Sequence, residues 1–229
     1  MTLKELIDKT KELLNNNNLD IELAKRMYLS MFDIAEQEFL LSYNKIIDDQ
    51  TIEKYEQNII KLLNGIPIQY IIGDVNFYGY NYIVNKNVLI PRFETEELIA
   101  NVIDYIKKYF SDNITIADIG TGSGIIGLTL KKELPNSNII MTDISYDALE
   151  VARLNANNLK AKVTILHGDM LEPLKDKKLD IIISNPPYIK ETEQVDDIVK
   201  NNETITALYG GIDRLKYYKK IFDNANEYL

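Results

Sequence analysis

"NITIADIGTGSGIIGLTLKKEL", Asn113–Leu134, is the stretch on which the fold turns. Its opening, Ile114 to Ile119, is apolar and β-branched with one break at Asp118, the pattern of a strand buried on both faces. Glycine then recurs at 120, 122 and 124, and a helical spacing of apolar residues begins at Ile125. Glycines let a chain reverse sharply and let a ligand approach the backbone with no Cβ in the way. A strand, a glycine turn and a helix in that order open a βα unit of an open α/β sheet. Ligands of such sheets bind beyond the carboxyl ends of the strands.

Working outward, the alternation repeats. "ETEELIANVIDYIKKYF" reads as the helix before this unit. After it come a strand, "SNIIMTDI", a helix, "SYDALEVARLNANN", a strand, "AKVTILHG", a strand, "KLDIIISN", and a last helix, "IDRLKYYKKIFDNANEYL". Strands alternating with helices imply right-handed crossovers and a mostly parallel sheet covered on both faces.

Towards the amino terminus the pattern changes. Residues 1–72 read as helices: "LKELIDKTKELL" ending in the breaker cluster Asn15–Asn18, "IELAKRMYLSMF" capped by Asp20, a shorter "EQEFLLSYN", and "DDQTIEKYEQNIIKLLNG" stopped by Gly65. "NFYGYNYIVNKNVLI", residues 76–90, replaces this with aromatic and β-branched residues and turn signals at Gly79 and Asn85–Asn87, which predicts a β-hairpin. The expected organisation is a small helical domain over 1–72, a hairpin connector over 73–91 and a Rossmann-like α/β domain over 92–229.

Composition removes several classes of chemistry. With no cysteine, disulfides and thiolate metal sites are excluded, and one histidine, His167, leaves little material for a Ser-His-Asp triad or a histidine metal site. No metal is expected. A formal charge of −9 lowers the expectation of a nucleic-acid partner, because phosphate neutralisation dominates such binding. No apolar run approaches the ~20 residues of a membrane span, and the charged start "MTLKELIDKTKELL" has no signal-peptide core. A cytoplasmic chain is expected.

About nineteen residues past Gly124, the next strand ends in Asp143, where an acidic residue commonly accepts from ribose hydroxyls. Glycine loop and acid together point to a cofactor containing a nucleoside. A dinucleotide fingerprint needs glycine at 125, which is Ile125, and a P-loop needs a Gly-Lys-Ser/Thr that is absent. The spacing Gly120-Thr121-Gly122-Ser123-Gly124 after Asp118 is similar to the first motif of S-adenosylmethionine-dependent methyltransferases. At the end of "LHGDML", Asp169 is a candidate acceptor for an adenine amino group and Met170 a candidate packing surface for the ring. A turn or cap role for Asp169 is the plain alternative.

"LDIIISNPPYIK", Leu179–Lys190, ends a strand in an amide, two prolines and an aromatic ring. Proline removes a donor and fixes φ, so the loop is stiff and cannot continue the strand. Asn185 offers a side-chain carbonyl, Pro186 a backbone carbonyl and Tyr188 a flat face. Together with Pro187 they form a receptor for a planar NH2 group.

"NPPY" is shared by methyltransferases acting on planar nitrogens. "GIPIQYIIGDVNFYGYNYIVNKNVLIPRFETEELI", Gly65–Ile99, and "ALYGGIDRL" further resemble the bacterial peptide chain release factor glutamine methyltransferases, the PrmC/HemK family. The resemblance implies a class I S-adenosylmethionine methyltransferase fold and methylation of the glutamine amide nitrogen in the Gly-Gly-Gln motif of class I release factors. It implies a cofactor site at Gly120 to Gly124, Asp143, Met170 and Asn185, and N-terminal helices that help to hold the release factor; a monomer is expected. It places Pro91, Arg92, Thr95 and Glu96 near the mouth of the site, with an Arg92–Glu96 ion pair as the structural alternative. Phe93, Met170, Thr204 and Arg214 depart from the family pattern. The family's sheet has seven strands, four of which are placed here, so the chain reads as about fifty residues short, with its fourth strand an exposed apolar edge. An N6-adenine methyltransferase acting on DNA or RNA and an inactive S-adenosylmethionine-binding module are the other readings.

Overall fold

The computed structural model describes residues 1–111, 113–190, 192, 193 and 209–229. The chain forms two compact units, Met1–Gly73 and Asp74–Leu229.

In the first unit, α1 (Leu3–Asn16), α2 (Glu22–Phe32), α3 (Glu36–Ser42), α4 (Asp49–Leu63) and α5 (Ile68–Ile72) surround one core. Thr2 and Glu5 form a capping box on α1, and Asp48 caps α4 through the Thr51 amide at 2.9 Å. The Asp20 carboxylate accepts from the Glu22 amide at 2.9 Å, but the N-cap of α2 is Ile21, with no side-chain capping bond, so the expected Asp20 cap is replaced by a turn just before the helix. Helix α1 runs two residues into the asparagine cluster before Asn18 turns left-handed (φ 56°). Leu3, Leu6, Leu14, Met27 and Tyr55 are fully buried. The Tyr55 hydroxyl donates to the Ala24 carbonyl at 2.9 Å, so the ring is buried without an orphaned oxygen.

The second unit opens with the hairpin, β1 (Asp74–Phe77) and β2 (Tyr80–Ile83), in antiparallel register Phe77 to Tyr80. Its turn residues, Tyr78 (φ 52°) and Gly79 (φ 79°), are both left-handed, the form whose twist matches the flanking strands. The hairpin is shorter and lies earlier than the 76–90 read from sequence. Asn85–Val88 make a second turn that leads into α6 (Phe93–Tyr109), not a longer strand.

Then follow β3 (Thr115–Ile119), α7 (Ile125–Glu133), β4 (Asn138–Asp143), α8 (Tyr146–Asn158), β5 (Thr164–His167), β6 (Ile181–Ser184) and α9 (Lys216–Ala225). The four strands are parallel, in the order β5-β4-β3-β6. Alternate residues face opposite sides. Ile116, Ile139, Met141 and Ile183 enter one core with α6, α7 and the hairpin, while Ala117, Ile119 and Ile140 enter another with Leu171, Leu174 and Leu179. This is the doubly covered, Rossmann-like parallel sheet that the sequence predicts. Strand β6 is an edge of the described sheet, but its side chains are covered: Ile183 is buried and Ile181 and Ile182 half-buried. The chain proceeds from β3 to β5 on one side and returns to β6 on the other, so the switch in direction lies at β3 and β6. Ligands of open sheets bind at such a switch.

Candidate active site

The carboxyl ends of β3 and β6 are paired at Ile119 and Ser184, and the Ser184 hydroxyl donates to the Ile119 carbonyl at 2.7 Å. The glycine loop leaves β3 at that point, and Asn185-Pro186-Pro187-Tyr188 leaves β6. Two motifs separated by about sixty residues in sequence thus share one edge because parallel pairing aligns strand ends.

The loop is fixed almost wholly by side chains and strand carbonyls around it. Gly120 and Thr121 amides both donate to the Thr142 carbonyl at 2.9 Å. The Gly122 amide donates to Asp143 Oδ2 at 2.8 Å, and Asp143 Oδ1 accepts from the Ser145 amide at 2.9 Å. Asp118 is fully buried beneath the loop, where its Oδ2 accepts from the Thr121 hydroxyl and, at 2.9 Å, from the Gly127 amide. Among the described residues its Oδ1 has no partner. Burial pushes the Asp118 carboxyl up to about 6, against the pull of the Thr121 and Gly127 bonds, and Asp143 adds a further rise.

Gly120, Gly122 and Gly124 all have positive φ, 69°, 57° and 82°. A Cβ added at Gly120 or Gly122 meets nothing within 4 Å, so their bare backbone faces open space. A Cβ at Gly124 meets Met141 Cε at 2.8 Å and Leu128 Cδ1 at 2.9 Å, so that glycine serves packing. An open backbone cradle beside a strand-end carboxylate fits an adenosyl cofactor.

Asp169 and Met170 follow β5 on the same edge. The Gly168 amide donates to the Asp143 carbonyl at 3.0 Å and the Thr142 hydroxyl to the Met170 carbonyl at 3.2 Å, tying the ends of β4 and β5 together. Met170 is left-handed (φ 53°), an uncommon state for its side chain and one that clusters at functional sites. Asp169 pairs with Lys220 of α9, a partner its sequence context did not announce. His167 is the last residue of β5, and its Nε2 lies 2.9 Å from the Ile144 carbonyl.

In the Asn-Pro-Pro-Tyr loop, Asn185 and Pro187 are half-buried, Pro186 is buried and Tyr188 is exposed. The Asn185 Nδ2 faces the buried Thr95 hydroxyl at 3.5 Å, which leaves Oδ1 as an acceptor. Thr95 lies in the first turn of α6, and Glu96 beside it accepts from the Tyr78 amide at 2.7 Å. Pro91 and Arg92 precede that turn. Gly210 packs directly on the loop: a Cβ there lies 2.4 Å from the Pro187 carbonyl oxygen and 2.8 Å from Tyr188 Cα. Ile189 and Tyr209 form a parallel bridge, with the Gly210 amide on the Ile189 carbonyl at 2.8 Å. Gly210 had been seen only as part of a motif. The adjacent pair of glycines was the signal that a close backbone approach occurs there. Arg214 is left-handed (φ 65°) and pairs with Glu193 at 2.7 Å, while Thr204 lies outside the described residues. Among the described residues there is no cluster of metal-binding side chains, and no helix is long and apolar enough to cross a membrane.

Comparison with known proteins gives the family. Residues 5–73 match the family model of the PrmC N-terminal domain, and residues 97–205 that of the methyltransferase small domain. A "Release factor glutamine methyltransferase" of Bacillus cereus is 38% identical over 234 residues, covering 100% of this chain and 83% of that protein. The protein of the same name in Bacillus subtilis is 36% identical, covering 97% and 80%. That in Clostridium acetobutylicum is 34% identical, covering 100% and 82%. The chain belongs to the release factor glutamine methyltransferase family.

Proposed function

We propose that this chain methylates the side-chain amide nitrogen of the glutamine in the Gly-Gly-Gln motif of class I peptide chain release factors, with S-adenosylmethionine as cofactor. The observation that carries this reading is that Asn185-Pro186-Pro187-Tyr188 leaves the strand next to the open glycine loop, the two strand ends fastened by the Ser184–Ile119 bond at 2.7 Å.

When bound, S-adenosylmethionine supplies a methyl group on a cationic sulfur. Gly120 to Gly124 would hold it by backbone, Asp143 would take the ribose hydroxyls, and Asp169 and Met170 would take the adenine. Asn185 Oδ1 and the Pro186 carbonyl accept the two hydrogens of the glutamine NH2, Pro187 stiffens the loop, and Tyr188 covers the amide plane. With Asn185 Nδ2 towards the Thr95 hydroxyl at 3.5 Å, Oδ1 is left for the substrate. An amide nitrogen is a poor nucleophile because its lone pair is delocalised. Holding both hydrogens favours rehybridisation at nitrogen, and orientation supplies much of the rate: effective molarities reach about 10⁵–10⁸ M for well-aligned groups. No strong base is required, since the methylated nitrogen is cationic and loses its proton readily. The helical unit, Met1–Gly73, helps to hold the release factor. The enzyme works as a cytoplasmic monomer without contacting nucleic acid.

Mass spectrometry of a purified release factor after incubation with the chain and S-adenosylmethionine tests this. One added methyl on the Gly-Gly-Gln glutamine is expected, and none with Asn185→Ala. Modification at another residue, or equal modification by the variant, overturns the reading.

A further inference from the structure

Asn155, on α8, is fully buried, and its whole amide is engaged. Its Oδ1 accepts from the Ile83 amide at 2.7 Å, and its Nδ2 donates to the Ile83 carbonyl at 3.0 Å and to the Ser123 carbonyl at 2.9 Å. Towards Ile83, the last residue of β2, the side chain acts as a piece of neighbouring strand, one acceptor beside one donor. Its remaining hydrogen goes to the middle of the glycine loop. Among side chains of this size only asparagine offers one acceptor and two donors in a plane.

Ser123 lies between Gly122 (φ 57°) and Gly124 (φ 82°), so its flanking backbone is soft. A buried carbonyl in such a segment keeps its direction only while it has a donor; without one, the peptide rotates to find another partner. At the far end of the same hairpin, the Tyr78 amide is held by Glu96, the neighbour of the Thr95 that faces Asn185. The hairpin therefore runs from the base of the amide receptor to the glycine loop, with Asn155 as the pin at the loop end.

We propose that Asn155 is a positioning residue for the methyl transfer: by holding Ile83 and Ser123 together it sets the glycine loop's conformation, and thereby cofactor affinity and alignment. This rests on reading the loop as the cofactor site. Asn155→Asp keeps the volume and the acceptor for the Ile83 amide but loses both donations. It should weaken binding of S-adenosylhomocysteine by about tenfold in calorimetry, the scale of one lost buried hydrogen bond. It should also lower kcat while leaving the KM for the protein substrate unchanged. Tyr82→Phe is the control, since it removes a buried bond from the same hairpin to Thr129 of α7 at 2.7 Å without touching the loop. It should lower the Tm and leave S-adenosylhomocysteine binding within about twofold, on the same energy scale.

A reading that needs no variant is available in the wild-type chain. The two Nδ2 proton resonances of Asn155 should shift when S-adenosylhomocysteine binds. Unshifted resonances, or an Asn155→Asp protein with unchanged affinity and kcat, overturn the proposal. A wild-type chain that binds no S-adenosylhomocysteine overturns the cofactor reading itself, and this inference with it.

Discussion

Gly210 has no side chain, and the loop it supports depends on that. A methyl group there would sit 2.4 Å from the Pro187 carbonyl oxygen, against backbone that two prolines keep from yielding. Gly210→Ala should therefore displace Asn185 to Tyr188. Methylation is expected to fall by at least about tenfold with S-adenosylmethionine affinity unchanged, which steady-state kinetics and calorimetry together would check. Asp118 gives a second prediction at this scale. Its carboxyl, raised to about 6 from 3.8 by burial, holds its proton more tightly folded than unfolded. Its contribution to stability is therefore greatest at acid pH and is lost as pH rises towards and past 6. About 1 kcal/mol of that loss falls between pH 5 and 7.5. Denaturant titrations at those two values should show wild type losing this much relative to Asp118→Asn. The residues of the site were legible in the sequence because glycines, prolines and strand-end carboxylates announce themselves locally. Asn155 was not, since an asparagine inside a helix looks ordinary until the chain brings Ser123 to it.

At the scale of elements, the four parallel strands were readable because each is a short apolar β-branched run between turn signals. The hairpin was misplaced because its first strand, Asp74–Phe77, carries polar residues at positions 74 and 76, and a short two-stranded ribbon is set by what anchors it. Those anchors are distant: Glu96 for Tyr78, Thr129 for Tyr82 and Asn155 for Ile83. The fastening of β3 to β6 is similarly invisible in either strand alone. Ser184→Ala removes a hydrogen bond at the strand ends. It should cost about 1 kcal/mol in urea denaturation. Because that bond lies between the glycine loop and the amide receptor, the methylation rate should fall further than cofactor affinity does.

For the whole molecule, the change from helical to alternating pattern near residue 73 was plain in the sequence, and separate hydrophobic cores answer to it, one in the helical unit and one on each face of the sheet. Each unit buries its own apolar residues. Leu6 is fully buried in the helical core, so Leu6→Ala should destabilise that unit by about 2–5 kcal/mol. Calorimetry should find S-adenosylhomocysteine affinity unaltered, while the release factor's KM rises if the helices dock it. A loss of cofactor binding in that variant would argue against such a division of labour.

The chain's single histidine lies against Tyr146, with ring centroids 3.6 Å apart and planes 9° from parallel, two residues before Asp169. That geometry makes His167 a built-in spectroscopic beacon. One imidazole Cε1 proton signal stands alone in the spectrum, moved upfield by the tyrosine's ring current. Occupancy of the adenine position proposed at Asp169 and Met170 can then be followed by that one line, with no label attached to enzyme, cofactor or release factor.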